Sequence, residues 1–368
     1  MLREQLKERI AFSMIKHINA GTARGLIDRC GDESTFFRLT DSELRGLTGL
    51  PENIISSSIR KELLKCAEKE LLFVTSSGIQ MLYFLDEEYP WRLKECDDAP
   101  VMLYKLGNAD LDNSHIVSIV GTRNSTVQGI EVTRSIVKEL GEKLDNLIIV
   151  SGLAYGIDVA AHKAALEFNI PTVAVTAHPL NTIYPPEHRN IAAQMVRAGG
   201  AILSEYSTSH SVYKANFLAR NRIVASLADA TIIVESDQKG GSLVTAALAS
   251  AYNREVFAVP GRLTDRYSRG TLNLIAKNGA RIYVSADDLI EQMGWTSVKT
   301  EGEQLFLPVE LNQEEKNIID FLNANPASTV NEIMISTGIK SGMLKDILFQ
   351  MEMKDLILSL AGGRYSAV

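Results

Sequence analysis

Several short segments of this chain carry residue types suited to holding phosphate. The first, Gly121-Thr122-Arg123-Asn124-Ser125-Thr126-Val127-Gln128-Gly129, directly follows the apolar run that ends at Val120. A glycine at a strand end lets an anion approach the backbone, and a helix start beyond it offers unpaired N–H groups. Arg123 adds a planar cation with five donors. Farther along, Arg220 and Arg222 bracket Asn221, and Phe217 stands nearby to stack on a base. Gln238-Lys239-Gly240-Gly241-Ser242 reads as an anion nest: successive N–H groups converge at a helix start, and Lys239 supplies full charge. Pro260-Gly261-Arg262 again follows a strand-like run.

A further loop reads Ser151-Gly152-Leu153-Ala154-Tyr155-Gly156-Ile157-Asp158, with His162 one helical turn after Asp158. Asp158 and His162 share a helix face, but no third ligand is near, so the pair reads as structural and no metal is expected. The first loop is not the dinucleotide fingerprint G-x-G-x-x-G, and the second strand ends in Ser151-Gly152 without the acid that would hold a ribose. The P-loop pattern is absent as well. These absences argue against a nicotinamide-dependent oxidoreductase, and no cofactor is expected. One phosphate needs one such loop. Several along one edge suit a polyanionic strand gripped by its backbone, which fixes position without reading sequence.

The elements that must carry these loops fall into three zones. From Met1 to about Glu70 the apolar spacing is helical, with breaks at Asn19-Ala20-Gly21, at Gly31–Ser34 and at Gly49-Leu50-Pro51, and a helix start at Asp41-Ser42-Glu43. The plainer reading of this module is a protein-contact or dimer-forming cap. A helix-hairpin-helix DNA contact is the sharper alternative, but clustered lysines are missing.

From about Gln80 to Trp295 strand and helix signals alternate. Strands are expected at His115–Val120, Leu147–Ser151, Thr172–Thr176, Ala201–Ser204, Thr231–Glu235 and Val256–Val259, with helices such as Val127–Leu144, Ile157–Glu167 and Ser242–Asn253 between them. Continuous apolar strands alternating with helices imply a parallel, doubly wound sheet covered on both faces. Such sheets bind ligands at the carboxyl ends of their strands, where the loops above lie.

A linker over about Thr296–Gln304 leads to a tail with helices near Gln313–Ala324, Thr329–Ser336 and Ser341–Met353 and a hairpin, Leu356–Leu360 and Arg364–Ala367, around Ala361-Gly362-Gly363. Three helices and a β-ribbon outline a winged helix, with capping-box spacing from Thr329 to Glu332. Its third helix mixes Lys345 and Lys354 with Asp346, Glu352 and Asp355, a poor phosphate surface, which favours partner binding or packing.

The whole chain has 38 Lys+Arg against 45 Asp+Glu, a net charge of −7. The stretch from His210 to Arg281 has ten basic residues against five acids, +5, so the remainder carries −12. The basic excess is therefore local to the middle zone. Cys30, Cys66 and Cys96 are too scattered for a disulfide framework or zinc knuckle and read as reduced thiols of a cytoplasmic protein. No apolar run approaches the ~18 residues of a membrane span, and the amino-terminal MLREQLKERIAFSM mixes charges unlike a signal peptide.

The ordered series of motifs resembles the DprA family, also called Smf. It includes Asp86–Leu93 with Tyr89-Pro90-Trp91-Arg92, Pro100–Tyr104, Val120–Arg123, Ser151–Asp158 with His162, Tyr184-Pro185, Phe217–Val224, Lys239–Ser242 with Thr245-Ala246, Val259-Pro260-Gly261, and Gly270–Ile275 with Gly279-Ala280. It departs from the family at Gln128, where an aromatic is usual, and at Thr176-Ala177-His178-Pro179, where a Gly-rich turn is usual.

The resemblance implies an α/β chain: an extended Rossmann-like, doubly wound, mostly parallel sheet over 71–295. An N-terminal helical module (SAM or helix-hairpin-helix-like) would span 1–70, and a DML1-like winged helix 305–368. It implies a cytoplasmic homodimer without catalytic residues that binds single-stranded DNA without sequence preference. Such a protein protects the strand and helps load the RecA recombinase onto DNA covered by single-strand-binding protein, during natural transformation and recombination. The DNA contacts it implies are Gly121, Arg123, Ser151, Gly152, Arg220, Asn221, Arg222, Lys239, Gly241 and Ser242.

The rival is an enzyme on a related core, a phosphoribohydrolase acting on nucleoside monophosphates. Glu235 and Asp237, ahead of Gly240-Gly241, are its only candidate acids, and the P-G-G-x-G-T order it would need is absent.

Overall fold

A computed structural model describes residues 2–297, 312–353, 356–360 and 363–367. Most of the expected linker (from Val298 on), Lys354 and Asp355 of the tail, and Ala361-Gly362 of its turn lie outside the described residues. The chain divides into two compact units, Met1–Thr300 and Glu301–Val368.

The first unit begins with a run of helices whose ends follow local chemistry. Asn19 caps Ala20–Cys30 in a capping box with Thr22, and Gly31 ends that helix at φ 94°. Thr40 caps Asp41–Thr48 in a box with Glu43. Each box satisfies backbone donors that a helix start leaves open. The longest helix, Ser57–Ser76, leads into the sheet.

That sheet has nine strands. They are β1 (Gln80–Tyr83), β2 (Met102–Gly107), β3 (His115–Val120), β4 (Leu147–Ser151), β5 (Thr172–Val175), β6 (Ala201–Ser204), β7 (Ala230–Ile233), β8 (Glu255–Ala258) and β9 (Arg281–Ile282). Their order is β1-β2-β6-β5-β4-β3-β7-β8-β9. From β6 to β9 every pairing is parallel, whereas β1 and β2 add an antiparallel flank. The chain winds from β3 out to β6, then returns to lay β7 on the other side of β3. The order therefore reverses between β3 and β7, in register Val117 to Ala230 and Val120 to Ile233. Loops that leave neighbouring strands in opposite directions open a crevice at that point.

Central strands are apolar on both faces because helices cover both. Val117, Ile119, Ile149 and Ile232 are buried on one side, with Ile116, Ile148, Val173 and Leu203 on the other. Fully burying one such side chain contributes about 1.5–3 kcal/mol. A bidentate ion pair joins Arg92 to Asp229, at 2.7 and 2.8 Å, and so ties the segment before β2 to the start of β7. The adjacent Trp91 ring lies 4.5 Å from the Arg92 guanidinium and 5.6 Å from that of Arg254. Trp295 packs edge-on against His115 at 4.8 Å.

In the second unit, helices Gln313–Ala324, Val330–Thr337 and Ser341–Met353 enclose a core with Ile318, Leu322, Ile333, Leu344 and Leu348. Strands β10 (Ser328–Thr329), β11 (Ile357–Leu360) and β12 (Arg364–Ala367) pair antiparallel in the order β10-β12-β11. Thr329 and Glu332 form the capping box that their spacing suggests.

Candidate nucleic-acid interface

A groove of about 560 Å³ lies over the carboxyl ends of the strands around the reversal point. Five segments build it, one of them the stretch after β5 that carries Tyr184. The first, after β3, contributes Gly121, Thr122 and Arg123, and the second, after β4, contributes Ala154 and Asp158. The segment after β6 supplies Lys214, Phe217, Arg220 and Asn221, and the loop after β7 supplies Asp237, Gly241 and Ser242. Loops separated by more than a hundred residues thus meet because parallel strands deliver all their carboxyl ends to one edge.

Close packing at the groove requires glycine in two places. A Cβ on Gly121 would stand 2.5 Å from Ile157 Cγ1, so this glycine lets the first loop settle on the helix Ile157–Glu167. A Cβ on Gly152 would stand 2.5 Å from the Arg220 guanidinium.

Arg220 itself is buried beneath the groove. Its Nη1 donates to the carbonyls of Gly152, at 2.5 Å, and Val175. Its charge is matched by Asp158, also buried. Burial pushes the Asp158 carboxyl up, while Arg220, the Ala154 and Gly121 N–H groups and Arg123 pull it back down. Burial likewise lowers the Arg220 guanidinium, and Asp158 opposes this. Arg220, held by the two carbonyls and within the field of the Asp158 carboxyl, braces the floor.

Arg123 and Lys214 are different. Both are exposed, and neither has an ion pair among the described residues. Asp237, the other acid on the wall, is taken by Arg266 at 2.7 Å. The groove therefore retains two uncommitted cations. The Arg123 guanidinium lies 5.5 Å from the Phe217 ring centroid, and Phe217 meets Tyr184 edge-on at 5.6 Å. An aromatic face beside a cation is a place where a base can stack while its phosphate is held. On the opposite wall, helix Gly241–Ala251 starts without a side-chain cap, so its first N–H groups are open to an anion.

The structure brings together Gly121, Arg123, Phe217, Arg220, Asn221, Gly241 and Ser242 of the expected residues. Gly152 lines a smaller pocket of about 60 Å³ alongside, with Arg123, Tyr184 and Phe217. Others sit elsewhere. The Ser151 side chain is buried in the sheet, and its hydroxyl donates to the Ile119 carbonyl at 2.6 Å. Arg222 turns to Glu205 in an ion pair of low exposure and does not line the groove. Lys239 is exposed in the turn before Gly240, outside the lining. The Ser242 hydroxyl points inward to Ser236 at 2.9 Å, which leaves its backbone to face the groove.

Lys214 and Tyr184 were not singled out as contacts from sequence. Lys214 could have been found as the lone cation opening the helix that carries Phe217. His162 does not pair with Asp158. It is fully buried, meets Thr172 Oγ1 at 2.7 Å, and is lowered to about 3 by burial, with His188 and Arg220 adding to the effect.

The acids proposed for nucleotide chemistry are committed. Glu235 accepts from the Thr126 N–H at 3.0 Å and from its hydroxyl at 2.6 Å. Asp237 holds Arg266 and the Gln238 N–H.

Comparison with known proteins gives the family of the chain. Residues 80–294 match the family model described as DNA recombination-mediator protein A. Protein Smf of Synechocystis sp. is 40% identical over 228 residues, covering 61% of this chain and 56% of that protein. The chain thus spans little more than half the length of that relative. The X-ray structure of DNA processing protein A from Streptococcus pneumoniae superposes with a TM-score of 0.65 at 30% identity, covering 78% of this chain and 97% of that one. A structure of DNA processing protein A from Helicobacter pylori, described as giving insight into its single-stranded DNA binding mode, has a TM-score of 0.52 at 33% identity and covers 58% of this chain and 95% of that one. With its Rossmann-like core and more than half its length matched, the chain belongs to the DNA recombination-mediator protein A family.

Proposed function

We propose that this chain binds single-stranded DNA without sequence preference and acts as a recombination mediator rather than as an enzyme. The observation that carries the reading is the pairing of two uncommitted cations, Arg123 and Lys214, with the aromatic edge of Phe217 and Tyr184 in one groove. The opposing helix start adds backbone donors. Cations and amides hold phosphates of any sequence, and an aromatic face accepts any base.

The family resemblance extends this to protection of the strand and to loading of a RecA-type recombinase on DNA covered by single-strand-binding protein, during natural transformation. It also gives a homodimer in the cytoplasm. The three free thiols Cys30, Cys66 and Cys96 suit a reducing compartment. The proposed contact set is Gly121, Arg123, Gly152, Asn221, Gly241 and Ser242, with Phe217 as the stacking residue and Lys214 added. Beside that set, Ser151, Arg220 and Arg222 act through their neighbours, and Lys239 acts from the rim. We assign 1–70 as a SAM-like module and 305–368 as a winged helix that packs or binds a partner.

Titration of a labelled oligonucleotide at two salt concentrations tests the reading. Affinity should fall steeply with salt, and Arg123→Ala with Lys214→Ala should weaken it. Salt-independent binding, or binding untouched by both changes, would overturn it. Release of free base from a nucleoside monophosphate would instead favour the enzyme.

A further inference from the structure

A second crevice, of about 570 Å³, opens beside the groove over the ends of β7 and β8. Thr126 and Gln128, at the start of helix Val127–Lys143, form one wall, and the loop from Pro260 to Ser268 forms the other. Between Pro260 and Arg269 the chain places Arg262, Arg266 and Arg269 against a single acid, Asp265. Arg262 and Arg269 are exposed and have no ion pair among the described residues. Tyr267 stands in the crevice with the Arg266 guanidinium 5.6 Å from its ring centroid.

The two spaces share a boundary. Asp237 lines the groove and Arg266 lines the crevice, and their ion pair stands between them. Arg269 also lowers the Asp237 carboxyl, so cationic character extends across that boundary. Glu235 reaches the crevice, but both its oxygens are used by Thr126. Neighbouring strands lie about 4.8 Å apart, so the crevice begins roughly one strand beyond the groove.

We infer that the polynucleotide track continues past the Asp237–Arg266 pair into this crevice, where Arg262 in its wall and Arg269, exposed one residue past that wall, hold further phosphates and Tyr267 meets a base. The inference rests on the reading of the groove as a single-strand site. It predicts two sections: a short strand needs only the first, and a long strand occupies both.

The test uses the full chain and fluorescence anisotropy with oligothymidylates of about 4 and about 16 nucleotides, across a range of salt. In the double variant Arg262→Ala and Arg269→Ala the long strand should bind more weakly, and its log–log salt slope should shrink by about 1.4, or ~0.7 for each lost single-strand phosphate contact. The short strand should bind as before. Arg262→Lys with Arg269→Lys should restore most of the slope, since charge is kept. Arg123→Ala should weaken both strands. An unchanged slope and affinity for the long strand in the alanine pair would overturn the inference, as would equal loss on both strands. Failure of the unaltered chain to bind either strand would overturn the reading of the groove itself.

Discussion

Glu70, on the long helix before the sheet, accepts two hydrogen bonds from Thr208, one from its N–H at 2.7 Å and one from its hydroxyl. Thr208 lies in the segment that runs from β6 to the helix carrying Lys214 and Phe217. The same segment is held at its root by the Glu205–Arg222 pair and farther on by His210, whose ring meets the Asn216 amide at 3.0 Å. An N-terminal element therefore fixes the stretch of chain that brings a cation and an aromatic to the groove. Burial raises the Glu70 carboxyl, and the two Thr208 bonds oppose this.

Glu70→Ala is expected to cost about 1–3 kcal/mol, the penalty for leaving a buried donor unpaired. Glu70→Gln, which can still accept from the Thr208 N–H, should cost less. Urea unfolding of the three chains makes the comparison. Equal stability of all three would show that the contact does not hold the segment.

Arg220→Ala and Arg123→Ala should fail in different ways. Removing Arg220 leaves the Gly152 and Val175 carbonyls without their buried donor, at about 1–3 kcal/mol of stability for each. Removing Arg123 should leave the melting temperature within a degree or two of the unaltered chain, while the salt slope for single-stranded DNA drops by about 0.7. Thermal melts beside salt titrations separate the two. An Arg220→Ala chain as stable as the unaltered one would refute the bracing role.

Gly152→Ala should act through Arg220. The added methyl would stand 2.5 Å from the guanidinium, which must then leave its carbonyl partners. Overpacking of this kind costs about 1–3 kcal/mol. Denaturant midpoints measure it, and no shift in midpoint would mean that the floor yields without strain.

His162 makes the fold sensitive to acid. Its folded value near 3 lies below the ordinary 6.5, so the unfolded chain binds the proton first as pH falls. Stability from this group is complete above about pH 6.5 and declines from there toward pH 3. By pH 5 the loss from His162 alone reaches about 2 kcal/mol, at 1.36 kcal/mol per unit. His178, lowered chiefly by burial, adds in the same direction. The difference in unfolding free energy between pH 7 and pH 5 should be smaller in His162→Gln, and an equal difference in both chains would count against the assignment.

Much of the sheet was legible because its central strands are short apolar runs between glycine-bearing loops. The observed β3 and β4 end where the residue pattern ends, at Val120 and Ser151. The flanking strands were harder to read. Gln80–Tyr83 is brief and chemically mixed, and both residues of Arg281–Ile282 are exposed, so neither shows a buried period. At the groove, Arg123 could be read because its side chain has no ion pair to claim it. That Arg220 would turn inward under the groove and Arg222 away from it could not, because their partners are set by tertiary packing: the carbonyls of Gly152 and Val175 for one, and Glu205 for the other. Spacing along the chain does not say which of two neighbouring arginines turns inward.

The positions of the two tryptophans decide what intrinsic emission can report. Trp91 is held between Arg92 and Arg254, Trp295 sits against His115, and neither lines the groove or the adjoining crevice. A polynucleotide seated there cannot quench either indole by direct stacking. Any change in emission on adding DNA would therefore signal a rearrangement relayed through the first unit. The second unit, which lacks tryptophan, would contribute no indole emission.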